Sequence, residues 1–527
     1  MQLKGNDLFN YYYRVVFSDK GNNHPENFRV EQLLSEKAIQ RRITQKIGYP
    51  DYRDIPVSAA YIDQISKLGF TLHCKSKWMN SALFKSVAAS NIALVKNLPF
   101  VVSVQLVKSP PGKSAGNDKL FFNTEEFNIA GFDKPLLLVN GTPLHSAGFS
   151  GKGILIAVLD GGFTNSDKIS SLKKLNDRKG IKATRDFVLN SSYVYDYHNH
   201  GTAVMSVLAG QIANYIEGSA PDADYILLRT EDGSSEFPVE EDYWIAGAEF
   251  ADSAGADIIS SSLGYTIFDN PEMNYRYADL DGNAAFITRA ADIAASKGII
   301  VVNSAGNERI NSWQRIVAPS DGDSVLAVAA IDTLGKIADF SSAGPSADRR
   351  IKPDLSALGV KVTVQTIPDK LTRANGTSFA CPVLSGMIAC LKQAQPDINN
   401  IDLINELKLS ADKYYSPDSL YGYGIPDITE TLKNIQNLYL IKPEGESVLW
   451  PNPNSGIFQI TLKEQPKYVV AEIYSPTGIL LAQKTYKEYA GRTIVFNELT
   501  KKNDGVYYVR IKTDKLTFVE KVIKIRN

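Results

Sequence analysis

The sequence predicts an α/β protein in which a doubly wound, mostly parallel sheet domain is flanked by a small α+β domain and a C-terminal β-sandwich. In the middle of the chain, apolar runs alternate with helical segments, which is typical of buried parallel strands joined by helices. Short strand-like segments separated by turn residues dominate the last part of the chain. The length of 527 residues fits about three domains of ordinary size.

Residues 1–107 form the predicted α+β domain, because strand-like and helical segments alternate within them. Strands are expected at 11–17, 70–78, 82–87 and 100–106, and helices at 32–45, 58–68 and 91–97. This order is typical of a ferredoxin-like fold, with helices on one face of a sheet. Residues 108–124 are rich in Pro, Gly, Ser and Lys, so we expect an exposed linker that contains a processing site.

Residues 125–440 form the predicted α/β domain. Its strands are expected at 153–159, 223–229, 257–261, 298–303 and 324–330, and its helices at 201–210, 240–254 and 284–297. In such sheets, functional residues gather beyond the carboxyl ends of the strands. Asp160, Ser262 and Asn307 follow three of these strands, so we expect them at one edge of the sheet.

Residues 448–527 form the predicted sandwich. Its strands are expected at 456–462, 468–474, 479–484, 492–496, 506–512 and 516–525. Turn signals separate these segments, including Pro-Thr-Gly at 476–478 and Asn-Asp-Gly at 503–505.

The composition excludes several classes of function. A net charge of −1 with 22% charged residues lacks the basic signature of a nucleic-acid-binding protein. No apolar run reaches the roughly 18 residues that a transmembrane helix needs. Residues 1–7 contain no hydrophobic region, so we expect either a cytoplasmic protein or one from which a signal peptide has been removed. Three cysteines do not make a disulfide framework.

Ser378 is the candidate nucleophile. It lies between small residues and precedes an apolar run that predicts a buried helix. Free N–H groups at a helix N-terminus favour developing negative charge, and Gly376 would allow a peptide backbone to approach closely. Pro382 is expected in the first helical turn. For this segment alone, a serine that only caps a core helix is the simpler interpretation.

Hydrolysis by a serine also requires a base, a carboxylate that orients the base, and donors for the oxyanion. Among five histidines, His200 begins a predicted helix of small residues, whereas His198 lacks the Gly-Thr that follows His200. Asp160 ends a buried strand and therefore needs a partner. Asn307 follows another buried strand and is the candidate oxyanion donor. Taken singly, each could instead be a structural helix-start or turn residue.

Five motifs in one order resemble the subtilisin-like serine proteases. They are Asp160-Gly161-Gly162, His200-Gly201-Thr202, Ser262-Leu263-Gly264, Ala305-Gly306-Asn307-Glu308 and Gly376-Thr377-Ser378-Phe379-Ala380-Cys381-Pro382. The order Asp, His, Ser is that of the subtilisins. The resemblance covers about residues 145–435.

The resemblance implies a role for each motif. Asp160, His200 and Ser378 would be the catalytic triad, and Asn307 would be the side-chain donor to the oxyanion. The substrate-binding residues would be Ser262, Leu263, Gly264, Ala305 and Gly306, with Glu308 at the rim of the pocket for the residue before the scissile bond.

The sequence departs from the family pattern at four places. Gly161 stands where Ser or Thr is usual, Ala203 where His is expected, and Phe379 where Met is common. Ala-Leu-Gly at 357–359 replaces Ala-Pro-Gly. None of these changes removes a reacting atom, so they bear on substrate preference and rate.

The flanking domains carry further resemblances. Residues 1–107 resemble the inhibitory propeptide of this family, and 76–80 and 98–101 are similar to prodomains of subtilases from Gram-negative bacteria. The Pro-Asn-Pro at 451–453 and Gly-Val-Tyr-Tyr at 505–508 resemble the C-terminal sorting domain of type IX secretion cargo. A permanent accessory domain and an adhesive or carbohydrate-binding sandwich are the alternatives.

Together these resemblances imply a secreted or cell-surface zymogen of a Gram-negative bacterium. Its expected partners are polypeptide substrates, its own propeptide and the type IX secretion machinery, without nucleic acid. The alternative function is a catalytically silent binding protein on the same fold. A sedolisin-like enzyme would carry a Glu base and an Asp oxyanion donor, so His200 and Asn307 disfavour it.

No cofactor is expected for the chemistry, although subtilases often carry structural calcium. Residues 279–283, Asp-Leu-Asp-Gly-Asn, have oxygen ligands at a plausible spacing, but a solvated acidic loop has the same composition. The metal ligands therefore stay unassigned.

Overall fold

The structure is a computed structural model that describes residues 11–87, 92–110, 120, 124–126, 135–368, 370–439, 447–487, 489 and 491–525. The chain divides into two compact units, residues 1–397 with 411–428 and residues 398–410 with 429–527. Most of the predicted linker, residues 108–124, lies outside the described residues.

The N-terminal domain is a four-stranded antiparallel sheet with helices. Its elements are β1 (Tyr11–Phe17), α1 (Glu36–Thr44), α2 (Ala59–Lys67), β2 (Thr71–Ser76), β3 (Ser81–Ser86), α3 (Ile92–Lys96) and β4 (Val101–Lys108). The strand order β2-β3-β1-β4 is that of a ferredoxin-like fold, which confirms the prediction. Val15, Ile65, Phe84 and Val95 belong to its own apolar core.

The central part of the chain folds around a seven-stranded parallel sheet. The first elements are β5 (Thr124–Glu126), α4 (Pro135–Leu138), α5 (Thr142–Ser146), β6 (Leu155–Asp160), α6 (Lys173–Asp177), β7 (Ile181–Asp186), α7 (His200–Ala209), β8 (Gln211–Ile212), β9 (Ile216–Glu217) and β10 (Asp224–Arg229). The next are α8 (Val239–Ala254), β11 (Ile258–Ser261), α9 (Phe286–Ser296), β12 (Ile300–Ser304), β13 (Val325–Ile331), β14 (Leu355–Leu358), β15 (Val362–Ile367), β16 (Lys370–Ala374) and α10 (Thr377–Ala394).

The order of the large sheet is β14-β13-β12-β11-β6-β10-β7, so the predicted α/β class is confirmed. Helices α7 and α10 pack against each other and against the sheet, and α8 and α9 form a second packed pair. β6 lies between β11 and β10, where the order of the strands along the chain reverses. The carboxyl ends of strands at such a switch point are where α/β proteins bind ligands.

Two edge strands of this sheet were not predicted. β7 is half-exposed along most of its length and carries Lys182 and Arg185, so it lacks the apolar run of a buried strand. β14 is buried but has only four residues, too few for a period to be read from the sequence.

The N-terminal domain packs on α8 through buried ionic contacts. Arg14 donates from Nε to Asp242 Oδ1 at 2.9 Å, and its Nη2 donates to Asp242 Oδ2 at 2.7 Å and to Glu241 Oε2 at 3.1 Å. Glu249 accepts hydrogen bonds from Ser76 Oγ and from the backbone N–H groups of Lys77 and Trp78. Because all these carboxylates are buried, the domain holds α8 by paired charges rather than by apolar area alone.

The C-terminal strands form two antiparallel sheets. After α11 (Asn400–Leu409) and α12 (Ile428–Tyr439) come β17 (Ser447–Trp450), β18 (Phe458–Leu462), β19 (Tyr468–Tyr474), β20 (Leu480–Lys487), β21 (Thr493–Phe496), β22 (Gly505–Thr513) and β23 (Thr517–Lys524). The sheets have the orders β17-β18-β21 and β20-β19-β22-β23. Phe458, Ile473, Phe496 and Val509 are buried in one core. The predicted sandwich is confirmed, with β17 as an additional strand. Within the described part of the chain, no helix combines the length and apolarity that crossing a membrane requires.

Candidate active site

Three candidate catalytic residues lie at the ends of three different elements. Asp160 is the last residue of β6, His200 the first of α7 and Ser378 the second of α10. All three are buried, with exposed fractions of 0%, 5% and 7%. His200, Asn307 and Ser378 line one cavity of about 380 Å³. The fold thus brings together polar groups that are more than two hundred residues apart in the sequence.

The His200 ring is oriented by Asp160. His200 Nδ1 lies 2.9 Å from both carboxylate oxygens of Asp160, and Asp160 Oδ1 also accepts the Gly161 N–H at 2.7 Å. With Nδ1 donating to this carboxylate, Nε2 is the ring nitrogen left to accept a proton. His198 has a different partner, because its Nδ1 accepts the backbone N–H of His200 at 3.0 Å.

The position after His200 requires a glycine, because the backbone there lies close to the loop that follows β6. The Gly201 N–H donates to the Gly162 carbonyl at 3.1 Å, and a Cβ on Gly201 would lie 2.6 Å from that oxygen. A larger residue would push the start of α7 away from the loop after β6. The Asp160–His200 distance therefore depends on this close approach.

The start of α10 has an unusual hydrogen-bond pattern. Pro382 lies at the sixth position of the helix, so the prediction of a first-turn proline was wrong. In an α-helix the N–H at 382 would bind the carbonyl of Ser378, and proline has no N–H. The Ser262 hydroxyl takes this place and donates to the Ser378 carbonyl at 3.0 Å. Ser378 Oγ in turn makes a long hydrogen bond of 3.4 Å to the Ser262 carbonyl.

The amide of Asn307 is oriented by Thr377. Asn307 Oδ1 accepts from the Thr377 N–H at 2.9 Å and lies 3.0 Å from its hydroxyl. A backbone N–H can only donate, so the facing atom must be the amide oxygen. Nδ2 is then the end of the side chain left to donate. Asn307 is exposed and lines the cavity, which is what a donor to a bound substrate requires.

The predicted substrate-binding residues mostly line the same cavity. Ser262, Leu263, Gly264 and Gly306 contribute to its wall, as does Glu308. Ala305 is fully buried and is absent from the cavity wall among the described residues. Gly306 has φ of +104°, and a Cβ there would lie 2.8 Å from Ser342 Oγ, so this wall position needs glycine.

Several cavity residues were not singled out from the sequence for this site. They are Leu120, Glu231, Glu236, Thr266, Ile267, Ser304 and Val317. Leu120 comes from the predicted linker, and Glu231 and Glu236 follow β10. Glu231 could have been predicted from the sequence because it lies just after a buried strand. No local sequence feature predicts that Leu120 lines the cavity.

In the loop at 279–283, the side-chain carboxylates accept hydrogen bonds from backbone N–H groups. Asp279 Oδ2 accepts the Arg276 N–H at 2.7 Å, and Asp281 Oδ1 accepts from the N–H groups of Asn283 and Ala284 at 2.8 Å. Within the described residues, the group of three carboxylates close enough to share a metal ion is Glu231, Glu236 and Glu240. Asp279 and Asp281 do not belong to that group, and the metal ligands stay unassigned.

A profile of the subtilase family matches residues 151–424, which is more than half of the chain. The chain belongs to the subtilase family. The Bacteroidota propeptide domain of peptidase family S8 matches residues 12–119 of this subtilase, and the secretion system C-terminal sorting domain matches residues 448–525. The three resemblances found in the sequence are therefore confirmed. The protein is a subtilisin-like serine peptidase with a propeptide domain and a type IX sorting domain.

Two bacterial proteases and one solved structure are similar to this subtilase. Subtilisin E of Bacillus subtilis (strain 168) is 28% identical over 406 residues, covering 75% of this chain and 92% of its own. Serine protease AprX of the same organism is 30% identical over 305 residues, covering 52% of this chain and 65% of its own. The crystal structure of MycP1 from Mycobacterium smegmatis aligns with a TM-score of 0.47 at 20% identity, covering 61% of this chain and 90% of that one.

Proposed function

We propose that this subtilase is an endopeptidase that cleaves peptide bonds through Asp160, His200 and Ser378. The observation that carries the proposal is the pair of 2.9 Å contacts between His200 Nδ1 and the buried Asp160 carboxylate, in a cavity that Ser378 also lines. A buried carboxylate that orients an imidazole beside a serine is the arrangement that serine hydrolysis requires. The matches to the subtilase, propeptide and sorting domains support a secreted serine protease that is produced as a zymogen.

The proposed mechanism begins with transfer of the Ser378 Oγ proton to His200 Nε2 while Oγ attacks the peptide carbonyl. The 3.4 Å hydrogen bond from Ser378 Oγ to the Ser262 carbonyl is weak, so the hydroxyl can exchange it for the imidazole. Asp160 remains ionised and stabilises the imidazolium that forms. His200 then donates the proton to the leaving amine, and water releases the acyl group by the same steps in reverse order.

The oxyanion would be bound by two donors. One is Asn307 Nδ2, which is directed by the contacts of Oδ1 with Thr377. The other is the backbone N–H of Ser378, which lies in the first turn of α10, where helical N–H groups have no acceptor within the helix. The partial positive charge of the helix N-terminus adds to this stabilisation.

We also propose that the domain of residues 1–107 inhibits the enzyme until it is removed by cleavage within 108–124. Its ion pairs with α8 bind it next to the catalytic cavity, and Lys108 at the end of β4 reaches Asp232 at 3.1 Å. The sorting domain would direct export through the type IX machinery of a Gram-negative bacterium. The substrates of the peptidase would be polypeptides.

Covalent labelling with a fluorophosphonate probe tests the proposal. After incubation of the full chain, we expect the probe on Ser378, identified by peptide mass spectrometry, and no label on the Ser378→Ala variant. A chain that loses its propeptide domain but stays unlabelled would instead support the catalytically silent binding protein.

A further inference from the structure

Three neighbouring strands of the large sheet end in charged residues at the same level. Asp160 ends β6, Arg229 ends β10 and Asp186 ends β7. The register of these parallel strands pairs Arg229 with both aspartates, one on each side. Arg229 is only 5% exposed and is absent from the cavity wall that the described residues form. A buried cation thus lies beside the proposed catalytic carboxylate but outside the catalytic cavity.

One end of the Arg229 guanidinium is held by Asp186. Arg229 Nη1 donates to Asp186 Oδ2 at 2.8 Å, and Asp186 is fully buried. Asp186 Oδ1 accepts the backbone N–H groups of Val188 and Leu189 at 2.8 and 2.9 Å, so both oxygens of this carboxylate have donors. Because the guanidinium is planar and rigid, a fixed Nη1 also limits the direction in which Nε can point.

The other side of the guanidinium binds the loop that follows β6. Arg229 Nε donates to the Gly161 carbonyl at 3.1 Å. The N–H of Gly161 donates to Asp160 Oδ1 at 2.7 Å, and both oxygens of this carboxylate lie 2.9 Å from His200 Nδ1. Gly161 has no side chain that could pack and fix its backbone, so hydrogen bonds must do so. Contacts therefore run without a break from Arg229 to the imidazole.

Arg229 also contacts the segment that leads into α7. The centre of the Tyr197 ring lies 3.9 Å from the guanidinium carbon, within the range of a cation–π interaction. Tyr197 is 40% exposed whereas the Arg229 side chain is 6% exposed, so the ring lies on the solvent side of the guanidinium. Tyr197 precedes His200 by three residues. One side chain thus touches the loop after the proposed catalytic aspartate and the segment before the proposed catalytic histidine.

We infer that Arg229 is a positioning residue, which holds the Gly161 carbonyl and thereby the orientation of the Asp160 carboxylate. The inference rests on the proposed peptidase function and adds to it a residue outside the cavity wall. A displaced Gly161 backbone would turn the Asp160 carboxylate and with it the imidazole, which must accept the Ser378 proton at hydrogen-bond distance. Arg229 therefore affects the chemical step more than it affects the binding of substrate.

Steady-state kinetics of Arg229→Lys test this role. Each full chain is incubated until mass spectrometry shows complete self-processing, and active sites are counted by titration with a fluorophosphonate. Lysine keeps a positive charge for Asp186, but its single nitrogen cannot also donate to the Gly161 carbonyl as the guanidinium does. We expect kcat on an internally quenched peptide to fall about ten-fold or more, while KM and the melting temperature Tm change little.

Arg229→Met separates positioning from stability. Methionine removes both hydrogen bonds and leaves the buried Asp186 charge without its cation, so Tm should fall. We expect kcat to fall by up to about 100-fold, the cost of displacing a reacting group by about 1 Å. Adding Asp186→Asn removes the uncompensated charge, so Tm should recover. In this double variant kcat should stay low, because the Gly161 carbonyl still lacks its donor.

Lys352→Met is the matched control, because Lys352 belongs to another buried ion pair of the same sheet. Lys352 is 2% exposed, and its ammonium donates to Asp354 Oδ2 at 2.7 Å and to the Val325 carbonyl at 2.6 Å. Val325 begins β13, so this pair lies at the amino ends of the parallel strands, opposite the catalytic edge. The control should lower Tm as Arg229→Met does and keep the wild-type kcat.

The outcomes separate this inference from the proposed function. Wild-type kcat in Arg229→Lys, or a kcat that recovers together with Tm in the double variant, would overturn the positioning role and leave the peptidase intact. A change confined to KM, or an equal loss of kcat in Lys352→Met, would overturn it as well. If Arg229→Met does not fold, the result for Arg229→Lys decides. A wild-type chain that shows neither cleavage nor fluorophosphonate labelling would overturn both the inference and the proposed function.

Discussion

Asn307 illustrates how one neighbouring residue can define the chemistry of a side chain. Its amide could face the cavity with either its oxygen or its nitrogen, and only the nitrogen can stabilise an oxyanion. The Thr377 N–H determines the orientation of the amide, because an N–H group can only donate a hydrogen bond and must therefore face Oδ1. The motif that carries the nucleophile therefore also orients the oxyanion donor.

Replacement of Asn307 by alanine should lower kcat by about 10²–10³ and change KM little, because its donor acts mainly in the transition state. Steady-state kinetics on a peptide substrate measure this effect. Asn283→Ala, at an exposed position outside the cavity, is the control and should retain wild-type kcat. A rise in KM with unchanged kcat would show that Asn307 instead binds the substrate in its ground state.

At the scale of elements, helix α10 depends on a contact from β11. Pro382 leaves the Ser378 carbonyl without its helical donor, and the hydroxyl of Ser262, the residue after β11, replaces that donor. This contact ties the strand end that is proposed to bind substrate to the helix that carries the nucleophile.

A double-mutant cycle tests this contact. Ser262→Ala should lower the free energy of unfolding by about 1–3 kcal/mol, because it leaves the buried Ser378 carbonyl unpaired. In the Pro382→Ala background the helix regains its own N–H, so Ser262→Ala should cost clearly less. Chemical denaturation of the Ser378-inactivated chain measures both effects, and equal costs in the two backgrounds would exclude the proposed compensation.

The propeptide domain holds helix α8 through Arg14. The guanidinium binds Glu241 and Asp242 and also lies 3.7 Å from the centre of the Phe286 ring. Burial raises the pKa values of both carboxyl groups, and Arg14 counteracts this by favouring their charged forms. Loss of the cation would therefore leave two acidic groups buried without their partner.

Arg14→Met should weaken the docking of the propeptide domain by about 3–5 kcal/mol, the usual cost of removing one member of a buried ion pair. Faster release of this domain, followed by size-exclusion chromatography at fixed times, is the expected result. Arg29→Met, at an exposed position in the same domain, is the control and should behave like the wild type. Unchanged release in Arg14→Met would show that the ion pairs of Arg14 do not hold the domain.

Within the second compact unit, helix α11 carries a buried acid against the sandwich. Glu406 Oε1 accepts from Thr493 Oγ1 at 2.7 Å, whereas Oε2 has no hydrogen-bond partner among the described residues. Burial raises the pKa of Glu406 to about 7, with Asp402 adding to the rise. The folded unit thus binds a proton that the unfolded chain releases near its ordinary pKa of 4.5.

Stability of this unit should therefore fall as the pH rises from about 4.5 to 7, because the folded state holds more protons than the unfolded state in this window. Glu406→Gln should remove this dependence and stabilise the unit at pH 8 by roughly 3 kcal/mol or less. Thermal unfolding at several pH values measures the change. Glu464→Gln at an exposed position is the control, and an identical pH slope in Glu406→Gln would contradict the account.

At the scale of the whole molecule, the sequence predicted the strands and helices that contain long apolar runs. The strands β6, β10, β11, β12 and β13 and the helices α7, α8 and α9 follow from runs that only a buried sheet and its covering helices explain. The family motifs identified the residues that meet in the cavity because each adjoins such a run.

The remaining features depend on contacts between distant segments. Leu120 lies in a stretch that resembles an exposed linker, and only the three-dimensional structure shows that Gly161 leaves room for it. The pairing of Arg14 with α8 joins residues more than two hundred positions apart, and the net charge of −1 conceals it. Local periodicity carries no information about such partners.

Mass spectrometry of the intact chain, incubated in parallel with the Ser378→Ala variant, tests the central claim most directly. If Ser378 is the nucleophile that Asp160 and His200 activate, the wild-type chain should be cleaved within 108–124 while the variant keeps its full mass. Cleavage of the variant at the wild-type site and rate, in the absence of any added protease, would contradict the account.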